Sequence, residues 1–323
     1  MRLIHFVTLL AQSGAAAPEA PTALAAAYTS ATQIDLSWTP GAGSTSQNIY
    51  RSDDGGAYAL VDTIADGVTA TYEDTTVVAA HIYGYKVAAA NAGGETLSAE
   101  VAPVTADFVC TTTAPSQTLT LDSFGVSAST IVDWGDGSTN AYTGTAQRTH
   151  VYASASVYDV RILQPTQVVT LDLRDTKMSS ASGFIGGLTS LTVLWLLNSA
   201  GVTVGAGEIG GLTSLTSLGM LNSTGIAFQT GLESLLQLDT LRYENNLSQA
   251  QVDSVLLTQL YAAFSTRTAT NGTVDLLGVG NAAPSGVLQA ACPPTTGKEA
   301  AFELVNDSCG TSANHWASVT TAA

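Results

Sequence analysis

The heptapeptide Gly-Gly-Leu-Thr-Ser-Leu-Thr occurs twice, at 186–192 and 210–216. A repeat at such spacing commits a chain to stacked supersecondary units rather than to one compact catalytic fold. The period extends to both sides: Leu171-x-Leu173, Leu194-x-Leu196, Leu218-x-Met220 and Leu241-x-Tyr243 follow one another at intervals of 23, 24 and 23 residues. In each, two apolar side chains flank one residue that points the opposite way, as a short strand with a single buried face requires. The Gly-Gly, Asn-Ser and Ser-Thr-Gly stretches between the units argue against a Leu-rich helical bundle, because they break each unit.

The frames Leu191-x-x-Leu194-x-Leu196 and Leu215-x-x-Leu218-x-Met220 make this segment resemble a leucine-rich repeat. The family's Asn-ladder position falls on Ser199, Ser223 and Asn246, with Asn198 and Asn222 one place early. The resemblance implies a short solenoid over 166–281 in which the residues between the inward positions, Asp172, Trp195, Gly219 and Arg242, line one exposed row. Trp and Arg are enriched in binding hot spots, so this row is the expected recognition surface for a host-surface glycan or protein. The competing expectation for Trp195 is burial against a neighbouring module. The longer last interval reads as a helix over 248–264, with Ser248 as N-cap and Val252, Val255, Leu256, Leu260 and Phe264 on one face. A strand at 272–278 follows, and residues 282–323 serve as a terminal cap or arm, which a solenoid needs over its last coil.

Upstream, Ile34, Leu36 and Trp38 alternate on one face, a turn follows at Thr39-Pro40-Gly41, and Tyr83-x-Tyr85-x-Val87-x-Ala89 precedes Asn91-Ala92-Gly93-Gly94. Residues 18–106 thereby resemble a fibronectin type III domain, which implies a β-sandwich with Trp38 in its core. In 107–165, Trp134-Gly135-Asp136-Gly137-Ser138 is followed by His150-Val151-Tyr152 and Val157-Tyr158-Asp159-Val160. That segment resembles a PKD-type immunoglobulin-like domain. Asp136-Gly137 supplies the positive-φ residue of a tight hairpin. Two carboxylates beside it are too few for Ca²⁺, which takes six to eight oxygens. The expected fold class is therefore mostly β: two tandem immunoglobulin-like sandwiches, then a short leucine-rich-repeat solenoid with one or more helices.

Acidic residues outnumber basic ones 26 to 10, for a net charge of −16, which argues against a nucleic-acid partner. Four histidines lie at 5, 81, 150 and 315, and the chain has no nucleophile elbow, Walker loop or H-E-x-x-H motif. The expectation is a protein that is not an enzyme and uses no cofactor or metal. Cys292 and Cys309 bracket a short loop, as either a local disulfide or two buried thiols, while Cys110 has no evident partner. Residues 1–17 read as an apolar attachment segment carried by Leu3, Ile4, Phe6, Val7, Leu9 and Leu10, too short to span a bilayer. A cleaved leader is the alternative. Adhesive modules of these kinds resemble those on tailed-bacteriophage particles. The resemblance implies a virion surface protein (head decoration, head fibre or tail-associated fibre) that joins other virion proteins through its N-terminal segment as a homo-oligomer or lattice component. The alternative is a secreted leucine-rich-repeat adhesin, extracellular or on a bacterial cell surface.

Overall fold

The computed structural model describes residues 15–30, 32–53, 55–78, 81–103, 105–174, 177–180, 183–199, 201–223, 226–269, 272–277, 280–310 and 315–322. Leu3, Ile4, Phe6, Val7, Leu9 and Leu10 of the expected attachment segment lie outside the described residues. The chain is mostly β and divides between Val104 and Thr105 into two compact units.

In the first unit, the alternation that puts Ile34, Leu36 and Trp38 on one face makes the central strand of a three-stranded sheet. Its strands are β1 (Thr22–Ser30), β2 (Gln33–Thr39) and β5 (Thr71–Asp74), in the order β1-β2-β5. The second sheet has the order β4-β3-β6-β7, from β3 (Ser46–Asp53), β4 (Ala59–Ile64), β6 (Tyr83–Asn91) and β7 (Gly94–Leu97). Ile49, Tyr83, Tyr85 and Val87 of this sheet are buried, as is Trp38. The polar atoms carried into the interior are paired, as burial demands. Trp38 Nε1 donates to Gln47 Oε1 at 2.5 Å, and Gln47 Nε2 donates to the Thr69 carbonyl at 2.6 Å. Asp74 accepts from Tyr85 Oη at 2.8 Å and from Arg51 at 2.9 Å. Burial alone would push the Asp74 carboxyl up. Thr76, Arg51 and Tyr85 more than offset that and hold it below the ordinary carboxylate value. Residues 15–17, expected to end the attachment segment, instead adjoin this unit, where Asn91 Nδ2 donates to the Ala16 carbonyl at 2.9 Å.

The second unit is built on one eleven-stranded sheet. Its first part contains β8 (Ala106–Thr111), β9 (Gln117–Asp133), β10 (Thr139–Tyr152) and β11 (Val157–Ile162). The 17-residue β9 pairs along its length with β10 and at its end with β11. β9 also pairs antiparallel with β12 (Val168–Leu173), with Phe124 opposite Leu171. The two-residue β13 (Met178–Ser179) lies beside β8. From β12 the sheet continues in parallel through β14 (Val193–Leu197), β15 (Ser217–Leu221), β16 (Thr240–Glu244), β17 (Thr273–Leu276) and β18 (Ser318–Thr321).

The expected divisions at 165/166 and 281/282 are therefore crossed by continuous backbone pairing. They are also crossed by one apolar core that runs from Phe108 through Trp134, Leu194 and Leu241 to Trp316. The physical reason is β9. It is long enough to hold β10 on one side while its other edge stays open to β12, so the segment 107–165 forms the first layer of the stack.

Inside the parallel part, Leu171, Leu194, Leu218, Leu241 and Val274 stand in one register, and Leu173, Leu196, Met220, Tyr243 and Leu276 in the next inward row, all buried. A polar spine closes the corner after each strand. Ser199 Oγ donates to the Leu173 carbonyl at 2.7 Å, Ser223 Oγ accepts from the Ser199 amide at 3.0 Å, and Asn245 Oδ1 accepts from the Ser223 amide at 2.9 Å. Asn281 completes it, donating to the Tyr243 and Leu276 carbonyls at 2.6 and 3.0 Å. Asn246, expected in this ladder, is exposed instead and, like Asn198 and Asn222, has positive φ. The strands repeat at 24 and then 23 residues while these asparagines repeat at 24 and 24, so in the third coil Asn245 moves into the ladder position.

The expected helix starts where Ser248 accepts from the Gln251 amide in a capping box. It runs as α1 (Gln249–Asp253) and then as a π-helical segment, Ser254–Leu260. All five predicted apolar positions are buried. Gln259 joins them because it serves the preceding coil, accepting from the Leu232 amide at 3.1 Å and donating to the Gln229 carbonyl at 3.3 Å. The tail contributes α2 (Gly297–Asn306), packed against that helical segment, and β18. β18 is held in place by Arg267, whose guanidinium sits 3.8 Å over the Trp316 ring and donates to the His315 and Leu238 carbonyls. Burial draws this guanidinium down to about 10, against the opposing charge of Asp239.

Two measurements check this partition. Trp38→Ala is expected to cost on the order of 3–5 kcal/mol and to lower the melting transition of the first unit alone. Trp134→Ala is expected to lower that of the whole second unit, parallel strands included, in calorimetry followed by limited proteolysis. The second check is the α2 cap, where Glu299 Oε2 accepts from the Thr295 and Thr296 amides. The Thr295 amide, Gln289 and the Thr295 hydroxyl bring this carboxyl down to about 2. A depressed folded value stabilises above the unfolded value of about 4.3 and loses that contribution as pH falls toward the folded value. Glu299→Gln should therefore flatten part of the fall in second-unit melting temperature between about pH 4.3 and 2, as read by circular dichroism.

Candidate functional site on the parallel ladder

Alternation along each parallel strand sends one side chain outward between two inward ones. Strict parallel pairing then brings these outward residues into register as Asp172, Trp195, Gly219, Arg242 and Asp275. Three of the four residues expected in an exposed row hold accessible positions: Asp172, Trp195 and Arg242 are half-buried. Gly219 is buried, which corrects the expectation for that position. A Cβ on Gly219 would lie 2.2 Å from Trp195 Cε3 and 2.6 Å from Cζ3, so the indole's benzo ring occupies the space that any other side chain would need. Trp195 Nε1 donates to Ser217 Oγ at 3.1 Å, which fixes the ring at a second point. Trp195 thus packs on the adjacent coil of its own sheet, an outcome intermediate between the free hot spot and the buried anchor foreseen from sequence.

Ion pairs flank the indole on both sides. Arg174 grips Asp172 through two bonds, Nε to Oδ1 at 3.0 Å and Nη2 to Oδ2 at 2.7 Å, and these bonds raise the Arg174 guanidinium above its ordinary value. Arg242 Nε bonds Glu244 and lies 3.6 Å from Asp275 Oδ2. With side chains up to 51% exposed, such pairs contribute at most about 1 kcal/mol each to folding. Their effect is to hold charged groups at fixed places on the surface. Ser217, Arg174, Glu244 and Asp275 were missed from sequence. Asp275 carries a readable signal, since Val274-Asp275-Leu276 repeats the same frame one coil further on, and Arg174 and Glu244 stand two residues from Asp172 and Arg242, on the same face by alternation; only the proximity of Ser217 to Trp195 needed the pairing.

The remaining sequence candidates are structural. Gly137 has φ +87°, and Asp136 accepts from the Ser138 amide and hydroxyl at 3.0 and 2.6 Å. Burial raises the Asp136 carboxyl, but Ser138 and His150 more than offset this and leave it below the usual carboxylate range. His150 stacks on Trp134 with centroids 4.7 Å apart and Nε2 2.8 Å from Asp136, so these groups serve one another inside the turn. Cys292 and Cys309 are joined as a disulfide with Cα atoms 5.5 Å apart. The buried Glu303 beside them accepts from the Ala291 and Cys309 amides at 3.2 and 3.1 Å. Among the described residues, Cys292, Glu303 and Cys309 form the one group of metal-ligand types in mutual reach, and its two sulfurs are bonded to each other. An apolar groove of about 710 Å³ lies beside β18, lined by Val287, Leu288, Phe302, Val305 and Val319 with Lys298 as its one charge. Among the described residues, no helix is long and apolar enough to cross a membrane.

No protein-family profile matches the chain and no curated protein is similar to it. Among solved structures, a Fn3-like protein from Clostridium thermocellum is similar at 36% identity over 27% of this chain and 92% of its own, with a TM-score of 0.24. FN3tt is similar at 17% identity over 27% of this chain and 96% of its own, with a TM-score of 0.24. Titin kinase with its flanking domains shows 14% identity over 39% of this chain and 29% of its own, with a TM-score of 0.25. By its own strand order, three strands facing four, the first unit is a fibronectin-type β domain.

The Trp195–Gly219 contact has a direct check. Gly219→Ala must displace the indole, and it is expected to cost on the order of 1–3 kcal/mol of second-unit stability. The displaced ring would show a red-shifted Trp195 emission, read in a variant whose other tryptophan signals are subtracted by comparison with Trp195→Phe.

Proposed function

We propose that this chain is a non-enzymatic surface-display protein in which the second unit's parallel ladder carries the recognition surface. The observation that carries the reading is the outward row itself. Asp172, Trp195 and Arg242 are held in register by the inward leucine rows, yet they supply little of the core and are free to vary with a partner. In this reading the ladder is a leucine-rich-repeat solenoid and its first layer, 107–165, is PKD-like. The particle is that of a tailed bacteriophage, where the protein serves as a head decoration, head fibre or tail-associated fibre. The N-terminal apolar segment that carries Leu3 to Leu10 joins it to other virion proteins as a homo-oligomer or lattice component, and the partner of the row is a host-surface glycan or protein. The net charge of −16 argues against nucleic acid as that partner.

A secreted bacterial adhesin is the second reading, favoured by one observation: the run Leu3 to Leu10 followed by Ala15-Ala16-Ala17 has the make-up of a leader. The Cys292–Cys309 disulfide suits either reading, since virion and cell surfaces are both oxidising.

Combined replacement of Trp195 and Arg242 by Ala is expected to abolish adsorption to cells while the second unit still folds and particle assembly stays normal. Unchanged adsorption would make the protein a passive surface stabiliser. Deletion of residues 1–14, which spares the Asn91–Ala16 contact, should leave a folded protein that no longer joins its assembly. An intact mass that begins near Ala15 in the native protein would instead select the secreted adhesin.

A further inference from the structure

The outward face of the parallel ladder contains one aromatic side chain among the described residues, and its setting is specific. Trp195 has given one part of its ring to the backbone of the next coil, where Gly219 leaves room for it, and its Nε1–H to Ser217. What remains is a half-buried indole fixed in orientation before any partner arrives, so binding there costs little side-chain ordering. A protein hot spot is ordinarily an aromatic anchor within a larger desolvated apolar core. Across the strands the flanks are ion pairs, Asp172 with Arg174 on one side and Arg242 with Glu244 and Asp275 on the other, while along its own strand the half-buried Val193 and Leu197 extend the apolar surface of the ring. Each of these carboxylates and guanidinium forks retains hydrogen-bonding positions beyond the pair it makes. A flat apolar plate between fixed polar forks matches a pyranose ring, which presents a C–H-rich face with hydroxyls around its rim.

Charge narrows the class further. The flanking pairs carry three acids, Asp172, Glu244 and Asp275, against two bases, Arg174 and Arg242, or 2 − 3 = −1, on a chain whose net charge is −16. A polyanionic glycan would meet repulsion over the whole approach. The row also has length. From β12 to β17 there are four strand spacings of about 4.8 Å, roughly 19 Å in all, which exceeds a single sugar.

We propose that Trp195, bedded on Gly219 and flanked by the Asp172–Arg174 and Arg242–Glu244–Asp275 pairs, is the stacking platform of a binding site for a neutral cell-surface polysaccharide. The proposal rests on the reading of the row as the recognition surface and names its ligand class.

The experiment uses the full chain with ¹⁵N-labelled tryptophan, whose Trp195 indole signal is assigned by its loss in Trp195→Phe. Cellohexaose, maltohexaose, mannohexaose and polygalacturonate are titrated in turn. Saturable movement of the Trp195 signal by a neutral hexasaccharide is expected, with the Trp38, Trp134 and Trp316 signals unmoved. The responding hexasaccharide should bind more tightly than its monosaccharide, and polygalacturonate should give no shift. Trp195→Ala should weaken binding about tenfold or more at unchanged folding, and Trp195→Phe should retain most of it. A panel in which no neutral hexasaccharide moves the Trp195 signal overturns the proposal, as does binding that survives Trp195→Ala. Adsorption to cells separates the two levels. If it is lost in the Trp195 and Arg242 double variant while the sugar panel is silent, the row recognises a protein and only the ligand class fails; if it is retained, the reading of the row fails as well.

Discussion

The second unit depends on parallel backbone pairing at a register that leaves no freedom. A one-residue slip of any coil would turn its inward leucines to water and its outward polar residues into the core. Each buried apolar side chain of this size contributes roughly 1.5–3 kcal/mol relative to exposure, and two stand on each strand, so a slip of one coil costs about 3–6 kcal/mol, a large part of the stability margin of an ordinary domain. The outward row inherits this precision. Trp195 faces Gly219, and Arg242 faces Asp275, because Leu194 faces Leu218 and Leu241 faces Val274.

Such a stack has two exposed ends, and the chain treats them differently. At the start, β9 offers its free edge antiparallel to β12, so the sandwich-like segment 107–165 acts as the first layer and shares its core with the coils. At the far end, α2 and β18 close the stack, tied by the Arg267–Trp316 contact, the Glu299 capping box and the disulfide around the buried Glu303. Between the ends, the spine of Ser199, Ser223, Asn245 and Asn281 satisfies backbone groups at the corners, which would otherwise be buried without partners.

The first unit solves the same problem by closing two sheets on each other. Its interior accepts an acid, Asp74, only because Arg51, Tyr85 and Thr76 surround the carboxylate. Removing any one of these partners leaves a charge that a dry interior tolerates poorly.

The repeat period, the strand positions and the inward residues were legible in the sequence, because alternation and a fixed interval are one-dimensional patterns that backbone geometry converts directly into faces. The Ser248 cap and the apolar face of the helix were legible for the same reason. Three features were decided only in three dimensions. The boundary expected at 165/166 vanished because the open edge of β9 is a property of pairing and not of composition. The polar spine moved from Asn246 to Asn245 because the corners and the strands repeat at slightly different intervals. In the row, the sequence placed Asp172, Trp195 and Arg242 together but counted Gly219 as one more exposed position. Only the packing of one coil against the next shows that the missing side chain there is what gives the indole its bed, since whether a glycine is a gap or a seat depends on which neighbour fills it.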